Sequence, residues 1–146
     1  MKKQFTVVVC MFVSVISMLS PLGVSAQTTN ASQPVCWNDL RNTRWVNVLS
    51  NQHKRWTLEF TDMMMTNTYF YGKSGNSYPK TYKYYLSDKI PTAFENNKVG
   101  KKTSGHYIIS LIDDELVSNQ ILSLTANELR IRLAHSGDTL VFVREQ

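Results

Sequence analysis

The chain has 146 residues, of which 42% are hydrophobic and 18% charged, and its formal net charge at neutral pH is +5. This length corresponds to one domain. The charge is too small for the concentrated basic face of a nucleic-acid-binding protein, so nucleic acid is not an expected partner.

The first 26 residues have the pattern of a cleavable secretory signal peptide. Two lysines precede an apolar stretch over residues 5–19, and residues 24–26 are the small residues that a signal peptidase requires before the cut. The rival interpretation is a single-pass anchor, but the apolar stretch is shorter than the roughly 20 residues needed to span a bilayer. We therefore expect residues 1–26 to be removed, which predicts a periplasmic or secreted protein with no transmembrane span after cleavage.

Cleavage lowers the net charge from +5 to about +3 and leaves a single cysteine, Cys36. One thiol cannot form an internal disulfide, so the core alone has to stabilise the fold. Residues 27–34 are rich in Thr, Asn, Ser and Gln, which is typical of a disordered leader. The folded domain is expected over residues 35–146.

Beyond residue 43, hydrophobic and polar side chains alternate with the period of two of a half-buried β-strand. The alternation is clearest in residues 55–61, where Trp56, Leu58 and Phe60 share one face, and in the final hairpin around the break at residues 135–138. The predicted strands cover residues 43–50, 55–61, 63–71, 81–86, 106–113, 116–125, 128–133 and 139–143.

Eight or nine short strands without a long amphipathic helix predict an all-β fold, after a short helical turn within residues 35–42. An antiparallel meander of this kind closes into a small barrel or stacks as a sandwich, and closure is favoured because an open sheet would expose apolar edges. The longest irregular segment is expected at residues 87–105, with room for one short strand at 93–98. The interior of an eight-stranded barrel is either filled by side chains or just wide enough for one small ligand.

Several stretches resemble the small lipocalin-like β-barrels that many bacteria export. They are the turn and Trp-bearing first strand at 40–46, the Tyr-Tyr-Leu-Ser-Asp run at 84–88, the Val-Gly-Lys-Lys-Thr-Ser-Gly loop and Tyr-Ile-Ile strand at 99–109, and the Leu-Ser-Leu-Thr to Leu-Arg-Ile hairpin at 122–131. Thr43 stands where lipocalins place a glycine, two residues before the tryptophan. The resemblance implies a lipocalin-like barrel that binds a ligand, without indicating which one.

Aromatic residues recur on the strand faces and are the candidate ligand-binding residues. If several point into one barrel, their rings would form apolar walls and tyrosine hydroxyls would orient a ligand. The alternative is that they fill a solid core. The candidates are Trp45, Trp56, Tyr69, Tyr82, Tyr84 and Tyr107.

Three lysines crowd one end of the irregular segment: Lys98, Lys101 and Lys102. Loops of this length are often functional. One hypothesis is a lid over the open end of the barrel whose charge favours an anionic headgroup, and another is a loop that contacts a partner protein. The structural alternative is a solvated loop kept soluble by its charge.

Neither a metal site nor a catalytic site is predicted. The three histidines show no ligand spacing, and alternation places Met64 on the opposite face from Met63 and Met65. No candidate nucleophile lies in a recognisable turn context. We therefore expect neither an enzyme nor a cofactor.

Two functions are consistent with these observations. The first is an exported, non-enzymatic binding protein that holds a small hydrophobic or amphipathic ligand in its barrel. The second is an interaction or inhibitor module, a filled barrel that contacts another exported protein through its loops.

Overall fold

The computed structural model describes residues 33–50, 54–72 and 76–146. The predicted signal peptide and almost all of the predicted leader lie outside these residues. In the described part of the chain, no helix combines the length and apolar character that crossing a membrane requires.

Short strands dominate the structure. In chain order the elements are β1 (Val35–Cys36), α1 (Trp37–Leu40), β2 (Thr43–Asn47), β3 (Lys54–Phe60), β4 (Met64–Tyr71), β5 (Asn76–Ser87), a 3-10 turn (Asn96–Lys98), β6 (Ser104–Gly105), β7 (Tyr107–Ile112), β8 (Glu115–Leu124), β9 (Glu128–Arg132) and β10 (Thr139–Arg144).

Eight of the strands form a closed antiparallel barrel in the order β10-β2-β3-β4-β5-β7-β8-β9. Pairing of β10 with β2, with Val143 opposite Val46, closes the sheet on itself. The predicted all-β barrel, preceded by a short helical turn, is therefore confirmed, and the sandwich is excluded. The two remaining strands, β1 and β6, pair with each other outside the barrel.

One end of the barrel, which we call the base, is plugged by α1. Both Trp37 and Leu40 are buried. The indole nitrogen Nε1 of Trp37 donates a hydrogen bond to the carbonyl of Asp62 at 3.0 Å, and its backbone N–H donates to the carbonyl of Thr103 at 2.9 Å. These bonds attach α1 both to the β3–β4 turn and to the segment that precedes β6.

Side chains fill the barrel above this plug. The largest buried ones include Trp45, Phe60, Tyr84 and Phe142. Their polar atoms have partners: Nε1 of Trp45 donates to Oγ1 of Thr43 at 2.7 Å, and the hydroxyl of Tyr84 donates to the carbonyl of Thr61 at 2.9 Å. The half of the barrel next to the base is a packed core.

Several boundaries differ from the sequence prediction. β2 ends at Asn47, not at residue 50. β5 begins at Asn76, not at residue 81, and it includes Pro79. A proline is tolerated there because this half of β5 pairs only with β4. No β7 residue pairs with Pro79, so its missing N–H costs no hydrogen bond between β5 and β7. The short strand considered at 93–98 does not form, and the 3-10 turn lies there instead. Beside this turn, Phe94 packs on Tyr85 on the outer face of the barrel, with ring centroids 5.2 Å apart.

The predicted alternation can be tested on β9. Ile131 is 3% exposed and faces the core, whereas Arg130 points to solvent and pairs with Glu128 at 3.1 Å. We expect Ile131→Asp to lower the free energy of unfolding by about 3–5 kcal/mol, because it buries an unpaired charge. Arg130→Asp should cost no more than about 1 kcal/mol, since an exposed ion pair contributes little. Urea unfolding of both variants makes the comparison, and equal midpoints would contradict the assigned faces.

Candidate functional site

The end of the barrel opposite the base, which we call the mouth, is built differently. It carries the β2–β3, β4–β5, β7–β8 and β9–β10 connections. β2 ends at Asn47, but the pairing of β3 with β4 continues to Lys54 and Tyr71, and that of β4 with β5 to Asn76. The β4–β5 hairpin therefore projects beyond its neighbours and leaves space above the end of β2.

A cleft of about 250 Å³ occupies this space, and we call it the mouth cleft. Strands β2, β3, β4 and β10 all contribute to its walls, which are mostly apolar. Its lining includes Asn47, Leu49, Trp56, Tyr69, Tyr71 and Leu140. Sites of this kind, with aromatic walls and few polar groups, are typical of small-molecule binding.

Aromatic rings form a continuous row from the packed core to solvent. Trp56 meets Phe142 edge-on at 5.4 Å and stacks on Tyr69 at 4.9 Å. Tyr69 lies 6.3 Å from Tyr71 with nearly parallel rings, and Tyr71 lies 6.3 Å from Tyr78. The row follows from strand geometry, because Trp56, Tyr69 and Tyr78 are direct cross-strand partners and residues two apart on β4 share a face.

Asn47 supplies the most informative polar group of the mouth cleft. The residue is only 5% exposed, and its Oδ1 accepts a hydrogen bond from the backbone N–H of Leu49 at 2.8 Å. Its Nδ2 is buried and has no hydrogen-bond partner among the described residues. A buried polar group left without a partner costs about 1–3 kcal/mol, so such groups in native proteins call for an explanation.

The hydroxyl of Tyr69, in the wall of the mouth cleft, is held in its neutral form. Burial, reinforced by the neighbouring Tyr71 and Tyr82, raises the pKa of Tyr69 from 10.0 to about 12. A neutral phenol both donates and accepts hydrogen bonds. At Tyr69, the wall of the mouth cleft is therefore aromatic and uncharged over the whole physiological pH range.

The predicted ligand-binding residues do not form one group. Trp56 and Tyr69 border the mouth cleft, and Tyr82 lies beside them, partly buried against the core. Trp45 and Tyr84 are 0% and 1% exposed, respectively, within the packed core, where they act as filling.

Tyr107 lies on the outer face of the barrel. Its neighbour Ile108 pairs with Leu86 and belongs to the core, so Tyr107 on the alternate position points outward. Tyr107 therefore lies on the opposite side of the sheet from Trp56 and Tyr69.

The three lysines of the irregular segment lie at the base, because residues 88–106 connect the base ends of β5 and β7. Lys98 pairs with Glu95 at 2.8 Å, and its Nζ lies 5.6 Å from the ring centroid of Tyr85. Lys101 and Lys102 are exposed nearby. The segment does not cover the mouth cleft, so any role for these lysines concerns the opposite end of the barrel.

Asn47, Leu49 and Leu140 are site residues that the aromatic pattern did not single out. Asn47 had one recognisable signal: it lies on the same strand face as Trp45 and is therefore a polar side chain directed into an apolar interior. Leu140 and Leu49 look like ordinary strand residues in the sequence, and only the early end of β2 brings them to the cleft.

The chain is thus a closed, eight-stranded antiparallel β-barrel, packed at its base and open at an aromatic mouth. No family model, curated protein or solved structure matches it. Among the described residues, no group of three or more His, Cys, Asp or Glu side chains could hold a metal ion.

The raised pKa of Tyr69 predicts a pH dependence of stability. The unfolded tyrosine ionises near 10.0 and the folded one near 12, so between these values the unfolded state releases its proton first. The stability contributed by Tyr69 is therefore complete below pH 10 and is lost as the pH rises towards 12.

We expect the urea midpoint of the wild type to fall more between pH 9 and pH 11 than that of Tyr69→Phe. The comparison at pH 9 serves as the control for the loss of the hydroxyl itself. An ultraviolet titration of tyrosinate should also lose its component near pH 12 in Tyr69→Phe. An unchanged titration curve would contradict the burial of this hydroxyl.

Proposed function

We propose that this chain is an exported, non-enzymatic binding protein that holds a small, partly apolar ligand in the mouth cleft. The observation that carries the proposal is the buried Nδ2 of Asn47, which has no hydrogen-bond partner among the described residues, at a cleft walled by Trp56, Tyr69 and Leu140. The bond from the Leu49 N–H to Oδ1 accounts for one half of the Asn47 amide, but no contact among the described residues accounts for its buried donor Nδ2.

Two unfavourable features of the mouth support binding there. Trp56 and Tyr69 are only partly buried, although full burial of large apolar side chains stabilises a fold by about 1.5–3 kcal/mol each. The Nδ2 of Asn47 is a buried donor without an acceptor in the described parts of the chain. A ligand in the mouth cleft removes both penalties at once, because it covers the rings and offers an acceptor.

Two other polar side chains around the mouth cleft, Ser50 and Arg55, have structural roles. Ser50 Oγ accepts a hydrogen bond from the backbone N–H of Trp56 at 3.0 Å. Arg55 is paired with Glu145, which also holds Arg44 at 2.8 Å. These contacts hold the walls in position, which suits a site that binds a ligand without transforming it.

Export and the lipocalin-like resemblance complete the proposal. The closed barrel is the architecture that this resemblance implies, and the N-terminal pattern of residues 1–26 directs such a barrel out of the cytoplasm. If export with cleavage occurs, the intact mass of protein secreted by its own host should correspond to a chain that begins at Gln27. Recovery of the full-length chain from the cytoplasm would contradict this part.

Tryptophan fluorescence provides a site-specific test of binding. Trp37 and Trp45 are 5% and 0% exposed, so Trp56 is the tryptophan, of three in the chain, that borders the mouth cleft. A ligand from a panel of lipids and aromatic compounds should change the emission of the wild type but not that of Trp56→Phe. Trp56→Ala should weaken binding about tenfold or more, as expected for a central aromatic contact.

Tyr107→Phe is the matched control, because Tyr107 is an aromatic residue on the outer face and its replacement should leave the affinity unchanged. Native mass spectrometry of protein from its own host should show a ligand adduct. The proposal fails if no adduct is found and no compound class changes the emission of Trp56.

One observation favours the alternative function, contact with another exported protein. Leu49, Tyr71 and Tyr78 at the mouth are 78%, 50% and 56% exposed, respectively, and large exposed apolar side chains that lie close together are typical of interaction surfaces. A single stoichiometric partner recovered from periplasmic extract, and lost with Tyr71→Ser and Tyr78→Ser, would favour this function. If charge reversal at Lys98, Lys101 and Lys102 abolished the capture instead, the partner surface would lie at the base.

A further inference from the structure

We infer that the inner end of the mouth cleft accepts a neutral, planar ring that carries an acceptor oxygen, with Asn47 Nδ2 as the hydrogen-bond donor and the indole of Trp56 as the stacking surface. This inference rests on the proposed function and specifies its ligand class. It derives from the orientation of one amide, the charges around it and the shape of the walls.

The orientation of the Asn47 amide is fixed by its neighbour. The backbone N–H of Leu49 is a donor and contacts the amide at 2.8 Å, so the atom that faces it must be the acceptor Oδ1. The remaining atom, Nδ2, is therefore a donor, and an amide nitrogen has no acceptor capacity. The group that satisfies it must be an acceptor such as a carbonyl or ether oxygen.

The surrounding charges favour a neutral acceptor. At the inner end, Asn47 lies among uncharged side chains, including Trp56 and Leu140. Lys54 and Arg55 at the rim would attract an anion, but at the inner end its hydrogen-bond donor would be the neutral amide of Asn47, and the loss of hydration there is unfavourable. A cation would face the donor hydrogens of Nδ2 and would also meet Lys54 and Arg55 at the rim. The recognition of a quaternary ammonium group by these aromatic rings is therefore disfavoured.

The walls favour a planar ring of limited size. Trp56 and Tyr69 stack with an interplanar angle of 27°, and Tyr69 and Tyr71 are nearly parallel at 12°. A flat ring gains from joining such a row of mutually stacked rings. The volume of about 250 Å³ lies just below the roughly 300–1,000 Å³ of typical small-molecule sites, which suits one substituted ring and not a long acyl chain.

Binding requires a small movement of the wall, because Nδ2 is closed off from solvent. Trp56 is the wall residue best suited to this movement. It is partly exposed, and its indole nitrogen makes only a long contact of 3.5 Å with Oδ1 of Asn67. Rotation of the indole therefore loses little hydrogen bonding. We expect binding to change the signals of both Asn47 and Trp56.

A matched series of three compounds separates the two parts of the inference. Acetophenone has the planar ring and the acceptor, ethylbenzene has the ring alone, and cyclohexyl methyl ketone has the acceptor on a puckered ring. Each is titrated into the ¹⁵N-labelled chain and followed by ¹H–¹⁵N NMR, including the side-chain amide of Asn47. We expect acetophenone to bind about three- to tenfold more tightly than ethylbenzene, as for one net hydrogen bond. It should also bind severalfold more tightly than the ketone with the puckered ring.

Acetophenone should also shift the Asn47 amide protons downfield, whereas ethylbenzene should not. Asn47→Asp keeps the acceptor for the Leu49 N–H but removes the donor, so it should reduce the preference for acetophenone over ethylbenzene to about one. Trp56→Leu should weaken both compounds. Ser110→Ala is the control, because Ser110 Oγ is the other buried side-chain atom without a partner among the described residues, yet it lies outside the mouth cleft. Its replacement should leave the preference unchanged.

The outcomes distinguish this inference from the proposed function. Equal binding of ethylbenzene and acetophenone by the wild type overturns the inference but leaves an apolar binding site. Tighter binding of a fatty acid or of tetramethylammonium than of acetophenone also overturns it. If Asn47→Asp fails to fold, the shift of the Asn47 side-chain amide in the wild type tests the inference on its own. An Asn47 resonance that does not move when acetophenone is saturating overturns the inference. Failure of all compounds, together with no adduct on protein from the host, overturns both.

Discussion

The pairing of β10 with β2 is the constraint on which the rest of the structure depends. It places Phe142 opposite Asn47 and Arg144 opposite Trp45, and the bond from the Glu145 N–H to the Arg44 carbonyl, at 2.8 Å, extends the pairing past the strand. The ion pairs of Glu145 with Arg44 and Arg55 are partly exposed, and such pairs contribute at most about 1 kcal/mol. Closure therefore depends mainly on the backbone ladder and on the burial of Trp45 and Phe142. Once the sheet is closed, every barrel strand has a neighbour on both sides along part of its length, and the two ends of the barrel and the mouth half of β5 are left to be covered.

The two ends are covered in different ways, and this difference leaves at one of them the mouth cleft, where we propose that a ligand binds. At the base, α1 and the segment before β6 supply Trp37 and Leu40, whose burial completes the packed core. At the mouth, β2 stops early while the β4–β5 hairpin continues, so the aromatic row leaves the core and ends in solvent at Tyr78. The same closure thus leaves one apolar surface without a covering element. Asn47 lies at the junction, where β2 ends and the core gives way to the cleft.

Much of the fold could be predicted because, in a strand with one buried face, the hydrophobic side chains recur at every second residue. Trp56, Leu58 and Phe60 were assigned to one face and lie there, as do Leu129 and Ile131 on β9. The prediction failed where periodicity carries no information. The predicted strand began at residue 81, but β5 begins at Asn76 and accommodates Pro79 where it lacks a second neighbour. On β7 both faces look apolar in the sequence, and the structure turns Ser110 inward while Ile109 is buried on the outer face opposite Tyr85.

The sequence by itself determined that the chain is a meander of short strands and which side chains on each strand share a face. It did not determine how far along the barrel each side chain lies. Trp45 and Trp56 have the same local pattern, yet the first is sealed in the core and the second borders the mouth cleft. The physical reason is that height along a barrel depends on the register between strands distant in sequence, and on where each strand stops. Only the tertiary structure decided that Asn47 and Leu140 meet Trp56 and Tyr69, because these contacts join β2 and β10 to β3 and β4 after closure.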